Sequence, residues 1–123
     1  MLDHLSIQCR DPQASSAFYD AVFAPLGGKR IMEFGTVIGY GFDFPTFWIG
    51  PLEHDVENRP VHIAFRAPSR AAVQEWFDVA VAHGTEVLHE PRVWPEYHAN
   101  YFGAFVRDPD GNNVEAVCHT SIE

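Results

Sequence analysis

Two stretches decide the fold: His4–Val22, HLSIQCRDPQASSAFYDAV, and His62–Ala80, HIAFRAPSRAAVQEWFDVA. They superpose without a gap at an offset of 58 residues. Leu5 falls on Ile63, Ser6 on Ala64, Ile7 on Phe65 and Gln8 on Arg66, and Phe18-Tyr19-Asp20 falls on Trp76-Phe77-Asp78. The offset is close to half of the 123 residues, so the chain reads as two copies of one supersecondary unit. Each copy carries a histidine at the same place on its first strand. Duplicated units can bring equivalent polar side chains together across a pseudo-two-fold axis, which is one way to build a metal site.

The local chemistry supports the repeat. Residues 2–9 alternate like a half-buried strand, with Leu5, Ile7 and Cys9 on one face and His4, Ser6 and Gln8 on the other. Asp11-Pro12 predicts a helix N-cap followed by proline at the first helical position. Phe18, Tyr19, Val22, Phe23 and Leu26 recur at helical spacing until Gly27-Gly28 stops the helix. Strands are expected near 29–34, 36–43 and 46–50. In the second copy a strand over 60–67 precedes a helix capped by Ser69, with Val73, Trp76, Phe77 and Ala80 on its buried face and Gly84 at its end. Strands near 85–90, 101–107 and 112–119 follow, the last two joined by the turn Asp108-Pro109-Asp110-Gly111. Each half is thus β-α-β-β-β. The expected fold is α+β, with repeats 1–58 and 59–123 forming a curved mixed sheet around a shared cavity. Pro91–His98, PRVWPEYH, lacks periodicity and is the expected rim or lid.

Composition excludes several classes. The chain is 46% hydrophobic with 14% aromatic residues, which fits a packed core rather than disorder. A net charge of −9, with no Lys/Arg cluster, argues against nucleic acid and anionic membranes as partners. No apolar run reaches the ~18 residues that span a bilayer, and MLDHLSIQCRD does not read as a secretory signal. Cys9 and Cys118 give neither a disulfide framework nor a CxxC pair, which suits the cytoplasm.

Three residues stand out chemically. His4 and His62 are repeat mates. Glu115 lies in the apolar run NNVEAVC, where a carboxylate is costly to bury unless something pairs with it. Two imidazoles and a carboxylate on three strands can hold a divalent cation and leave positions open for water or substrate. The plainer alternatives are hydrogen-bonded strand histidines and a Glu115 paired with Arg66 or Arg107. His54, His83, His89 and His119 have no repeat relation, and Cys9 and Cys118 read as small core residues.

The order β-α-β-β-β taken twice, with DHLSI at the start, VHIAFRA in the middle and RDPDGNNVEAV near the end, resembles the vicinal oxygen chelate superfamily over essentially the whole chain. That superfamily includes glyoxalase I, extradiol dioxygenases, methylmalonyl-CoA epimerase, fosfomycin-resistance transferases and bleomycin-resistance proteins. The resemblance implies that His4, His62 and Glu115 match the metal positions. Glyoxalase I typically adds a Glu or Gln on the fourth strand of the first half, where this chain reads Phe44-Pro45-Thr46-Phe47-Trp48-Ile49-Gly50. Extradiol dioxygenases usually place a tyrosine ten residues before the glutamate, where this chain has Phe105, and use a nearby histidine, for which His98 is a stand-in.

The expected activity is therefore that of a metal-dependent glyoxalase/dioxygenase-like enzyme chelating vicinal oxygens of a small substrate on Fe, Mn, Ni or Zn. Lyase, isomerase, dioxygenase and transferase chemistry all stay open. His98, Tyr97 and Tyr101 are the expected proton-transfer or substrate-contacting groups, or else the edge of an aromatic lid. Phe47 and Trp48 are the expected apolar wall of the substrate site. The alternative is a non-catalytic, ligand-sequestering protein of the bleomycin-resistance type. A third is a structural metal in a dimer interface. Because His4 belongs to one half and the other two ligands to the second, a homodimer is the expected assembly, with halves paired within a chain or exchanged between chains.

Overall fold

The computed structural model describes residues 1–121 and contains two four-stranded mixed sheets, each with one helix. The order is β1 (Leu5–Cys9), α1 (Pro12–Phe23), a 3-10 turn (Ala24–Leu26), β2 (Lys29–Phe34), β3 (Val37–Gly41) and β4 (Pro45–Pro51). It then repeats as β5 (His62–Arg66), α2 (Arg70–Ala82), β6 (Val87–Val93), β7 (Phe102–Arg107) and β8 (Asn113–Cys118). The sheets are ordered β1-β4-β3-β2 and β5-β8-β7-β6, with the first and last strand of each unit parallel and the remaining pairs antiparallel. The two expected β-α-β-β-β units are both present.

The helix signals act as expected. The Asp11 carboxylate accepts from the amides of Gln13 and Ala14, and Pro12 opens α1. The Ser69 hydroxyl accepts from Ala72 at the start of α2. Gly27 ends the first helical segment at φ 87°, in the left-handed region that glycine adopts without a Cβ penalty. Phe18, Tyr19, Val22 and Phe23 of α1 and Val73, Trp76 and Phe77 of α2 are buried. They form one core shared by both units: Phe65 of β5 packs edge-on against Phe23 and Phe47, with ring centroids 4.8 and 5.2 Å apart.

The Asp108–Asn112 turn also ties the units together. Gly111 N–H donates to the Asp108 carbonyl at 2.9 Å, closing the expected hairpin turn. The Asp108 carboxylate accepts the Tyr19 hydroxyl of α1 at 2.6 Å in a buried setting, and Asp110 accepts the backbone N–H of Arg10. These bonds fix the second unit's turn against the first unit's helix. A cavity of about 210 Å³ lies at the seam, lined by residues of both halves.

Two boundaries differ most from the sequence reading, by three residues each. β1 begins at Leu5 rather than near residue 2, because Met1 and Leu2 are exposed and nothing buries the expected start of the strand. His4 consequently sits one residue before the ladder. β6 runs on to Val93, so Pro91 lies inside a strand. It is tolerated there because β6 is an edge strand and its pairing to β7 shifts register between His89 and Arg92. The irregular stretch is therefore Trp94–Tyr101. It is pinned by the Trp94 N–H to the Tyr101 carbonyl (2.7 Å) and by the Trp94 indole N–H to the Gly103 carbonyl (3.0 Å).

Candidate metal centre

β8 carries Glu115 at its middle, and the side chain is fully buried. Parallel pairing to β5 sets Ala64 opposite it and His62 one residue pair back, on the same sheet face. Antiparallel pairing to β7 sets Phe105 on its other side. The result is a compact group on the sheet face away from α2. His62 Nε2 stands 3.0 Å from Glu115 Oε1. The Tyr101 hydroxyl donates a short hydrogen bond to Oε2. Phe105 stacks beside the His62 ring at 5.8 Å with an interplanar angle of 20°. Glycine at 103 leaves the space this needs, since a Cβ there would stand 3.0 Å from Oε2 and 3.3 Å from the Tyr101 ring.

Proton bookkeeping shows what this group lacks. His62 Nδ1 lies 3.1 Å from the Asn113 carbonyl, which can only accept. Nδ1 therefore carries the proton, and in the neutral ring Nε2 presents its lone pair to the carboxylate. Glu115 Oε1 is buried without a hydrogen-bond donor. With the ring neutral, two lone pairs face each other across 3.0 Å; with the ring protonated, the same contact is an ion pair. Neighbouring ligands of an octahedral cation with bonds of ~2.1 Å stand about 3.0 Å apart, so the spacing fits a shared divalent ion. The Asn113 carbonyl would orient the imidazole, and Tyr101 would hold the carboxylate, in the manner typical of groups behind metal ligands. Burial pushes the Glu115 carboxyl above its ordinary range against the opposing pull of Tyr101 and His62. Burial and then the Glu115 carboxylate push the Tyr101 phenol up, so it stays a donor.

The remaining expected residues divide. His4 does not join this group. It is exposed, with Nδ1 2.7 Å from the Asp3 carboxylate, beside a surface depression shared with Ser6, Phe44, Pro45 and Trp48. Among the described residues no set of three His, Cys, Asp or Glu side chains converges as a metal cluster. Phe47 and Trp48 do not form one wall, because strand alternation sends them to opposite faces. Phe47 is in the core and lines the seam cavity, while Trp48 lies beside His4 and stacks on Phe34. Glu115 pairs with neither Arg66 nor Arg107. Arg66 stands across from Val117, and Arg107 lies against Glu86 at 3.8 Å.

His98 and Tyr97 border the group through aromatic contacts. Tyr97 packs on Tyr101 with centroids 4.8 Å apart, and His98 lies 5.5 Å from the same ring. His98 Nδ1 accepts the Asn100 N–H at 3.1 Å, so its Nε2 carries the proton and donates to His119 Nδ1 at 2.9 Å. His119 is a member that the sequence reading passed over because it has no repeat mate. Its signal was its spacing: four residues beyond Glu115, it shares the outward phase of that strand. Burial, then the Arg66 charge, then His98, hold its imidazole below the ordinary histidine range.

The sequence profile of the Glyoxalase/Bleomycin resistance protein/Dioxygenase superfamily matches residues 1–116. No curated protein matches the sequence. Among solved structures, a glyoxalase/bleomycin resistance protein from Albidiferax ferrireducens T118 superposes with a TM-score of 0.83 at 24% identity, covering 94% of this chain and 96% of that one. A glyoxalase/bleomycin resistance protein/dioxygenase family enzyme from Burkholderia phytofirmans PsJN gives 0.72 at 22% identity, covering 97% and 98%. A lactoylglutathione lyase from Agrobacterium tumefaciens gives 0.67 at 21% identity, covering 94% and 90%. At these identities the structural likeness establishes the fold alone, whereas the profile spans nearly the whole chain. The chain belongs to the Glyoxalase/Bleomycin resistance protein/Dioxygenase superfamily.

Proposed function

We propose that the protein is a divalent-metal enzyme acting on a small substrate that offers two neighbouring oxygens, and that it works as a homodimer. The observation that carries this reading is the buried Oε1 of Glu115, without a hydrogen-bond partner, standing 3.0 Å from Nε2 of His62. His62 and Glu115 hold the cation, and His4 from a second copy of the chain completes the set, since His4 of the same chain lies elsewhere. The bound cation supplies Lewis acidity, making an oxygen of the substrate easier to deprotonate.

The chain's own groups do the rest. Tyr101 occupies one carboxylate oxygen and so leaves Glu115 a single ligating atom. Phe105 and Trp94 pack against each other at 5.1 Å and wall the centre on the β7 side. The His98–His119 pair stands next to the Tyr101 ring and is the group positioned to move a proton at substrate. Tyr97, largely exposed, forms the outer edge of the site. No described helix is long and apolar enough to cross a membrane. The two unpaired cysteines, both buried, fit the reducing cytoplasm.

Two experiments test the reading. Protein purified without chelator should carry metal. A content below about a tenth of an equivalent, not restored by Fe, Mn, Ni or Zn salts, sinks the proposal. For the assembly, a His4→Ala chain is mixed with a Glu115→Ala chain under conditions of verified subunit exchange. Exchanged halves should restore intact sites in mixed dimers, and no recovery of metal binding argues against them.

A further inference from the structure

The 210 Å³ cavity at the seam has none of His62, Glu115, Tyr101 and Phe105 on its lining, although its Ala64 pairs with Glu115 across the sheet. Its walls come from both units: Phe23, Leu26 and Phe47 from the first, Phe65 from the second. Arg66 is the one charged residue on its lining. Arg10, Arg30, Arg92 and Arg107 each lie within 4 Å of a carboxylate; among the described residues Arg59, Arg66 and Arg70 do not, and of these three only Arg66 lines the cavity. A cation left unpaired in a chain of net charge −9, at the mouth of an apolar hole, is a charge awaiting an anion. Phe42 stands at the same rim with 62% of its surface exposed, although it is a large apolar side chain. An occupant would cover it.

Size narrows the occupant. Apolar cavities of about 150 Å³ hold one benzene ring, so this one has room for a ring and a short substituent. We propose that the seam cavity is a binding site for a small monocarboxylate, with an aromatic or branched apolar body lying against Phe23, Phe47 and Phe65 and its carboxylate on Arg66. The guanidinium presents paired N–H donors that match a carboxylate. The site needs no metal, because neither His62 nor Glu115 lines it.

The probes are phenylacetate, benzoate and 4-methylpentanoate, titrated into the full chain and followed by amide chemical shifts. Phenylacetate should bind saturably and move the amides of Phe47, Phe65 and Arg66. Arg66→Gln should weaken it by roughly tenfold or more, the loss expected of a charge-assisted pair. The neutral phenylacetamide should bind more weakly than phenylacetate and lose little in the same variant. Thr46→Trp, which fills the rim from an exposed position on β4, should abolish binding of all three acids while the fold is retained. Three outcomes overturn the proposal. One is affinity weaker than about 10 mM for every acid. Another is equal affinity in Arg66→Gln. The third is a response confined to Tyr101, Gly103 and Phe105, which would place the acids at the metal centre instead.

Discussion

The outward faces of the two sheets differ more than the repeat that built them. Ser6 and Ala64 are repeat mates. Ser6 pairs with Trp48 across β1 and β4, and Ala64 pairs with Glu115 across β5 and β8. Trp48 therefore occupies, in the first unit, the position that Glu115 holds in the second. The neighbouring strands have followed suit. Gly39 pairs with Trp48, and a Cβ there would stand 2.8 Å from the indole, so glycine makes room for the large ring. Phe105 pairs with Glu115 and stacks on His62. One backbone thus carries an aromatic surface on one side and a buried carboxylate on the other. His4 is left with an exposed carboxylate next to it in sequence, while His62 has a buried one across the sheet. Duplication sets where side chains emerge; the residues on the adjoining strands decide what those positions can bind.

The contrast between the two faces is sharpest at Trp48 and Glu115. On the proposed function, Glu115→Ala removes a ligand rather than a supporting group and should weaken metal binding by roughly a hundredfold or more. Trp48→Ala should leave metal content unchanged. Equal loss in both variants, read by elemental analysis, would dissolve the distinction between the faces. Trp48→Glu should work the other way. If the faces meet across a dimer, the new carboxylate becomes a fourth ligand and tightens metal binding by about tenfold, measured by competition with a chromophoric chelator. Unchanged affinity would mean that the first sheet's face does not reach the cation.

Smaller effects test the setting of Glu115. Gly103→Ala puts a methyl group where Tyr101 and Oε2 meet and should reduce metal affinity severalfold with the fold intact. Gly84→Ala is its control, since a Cβ there meets no neighbouring atom; it strains a left-handed turn and should cost about 1 kcal/mol of stability without changing metal affinity.

The smallest effect concerns pH. The folded state raises the Glu115 pKa above its ordinary 4.5, so the buried carboxyl holds its proton more firmly when folded than when unfolded. Metal-free protein accordingly loses stability as pH rises through the unfolded value, and the loss levels off above the folded one. Glu115→Gln removes this penalty. In chelator at neutral pH it should melt above wild type, and below pH ~4.5 the difference should shrink. A Gln variant that melts lower at neutral pH would show that the carboxylate is satisfied without a cation.

Much of the fold was legible because its signals are local. Asp11-Pro12, Ser69, Gly27 and Gly84 punctuate the helices through hydrogen bonds and dihedral preferences that need no distant partner. Glu115 was legible because a carboxylate in an apolar strand is conspicuous. Its surroundings were not. Tyr101, expected to contact substrate, bonds Glu115 from just before β7, and Phe105 stands beside it through the β7–β8 register, which nothing in the sequence of β7 announces. His119 was overlooked because the repeat gave it no mate. Phe47 and Trp48 were read as a pair because they are adjacent, although adjacency in a strand separates side chains onto opposite faces.

Local signals in the chain establish the duplication, the two helices and their caps and the Asp108–Gly111 turn, and they mark His4, His62 and Glu115 as candidate ligands. Packing of strands and units sets His4 apart from the other two, gives one oxygen of Glu115 to Tyr101, and leaves an apolar cavity between the units with Arg66 at its rim. The physical reason is range. Capping and alternation are settled within a few residues, whereas a ligand set or a cavity depends on strand register and on how two sheets pack against a common core.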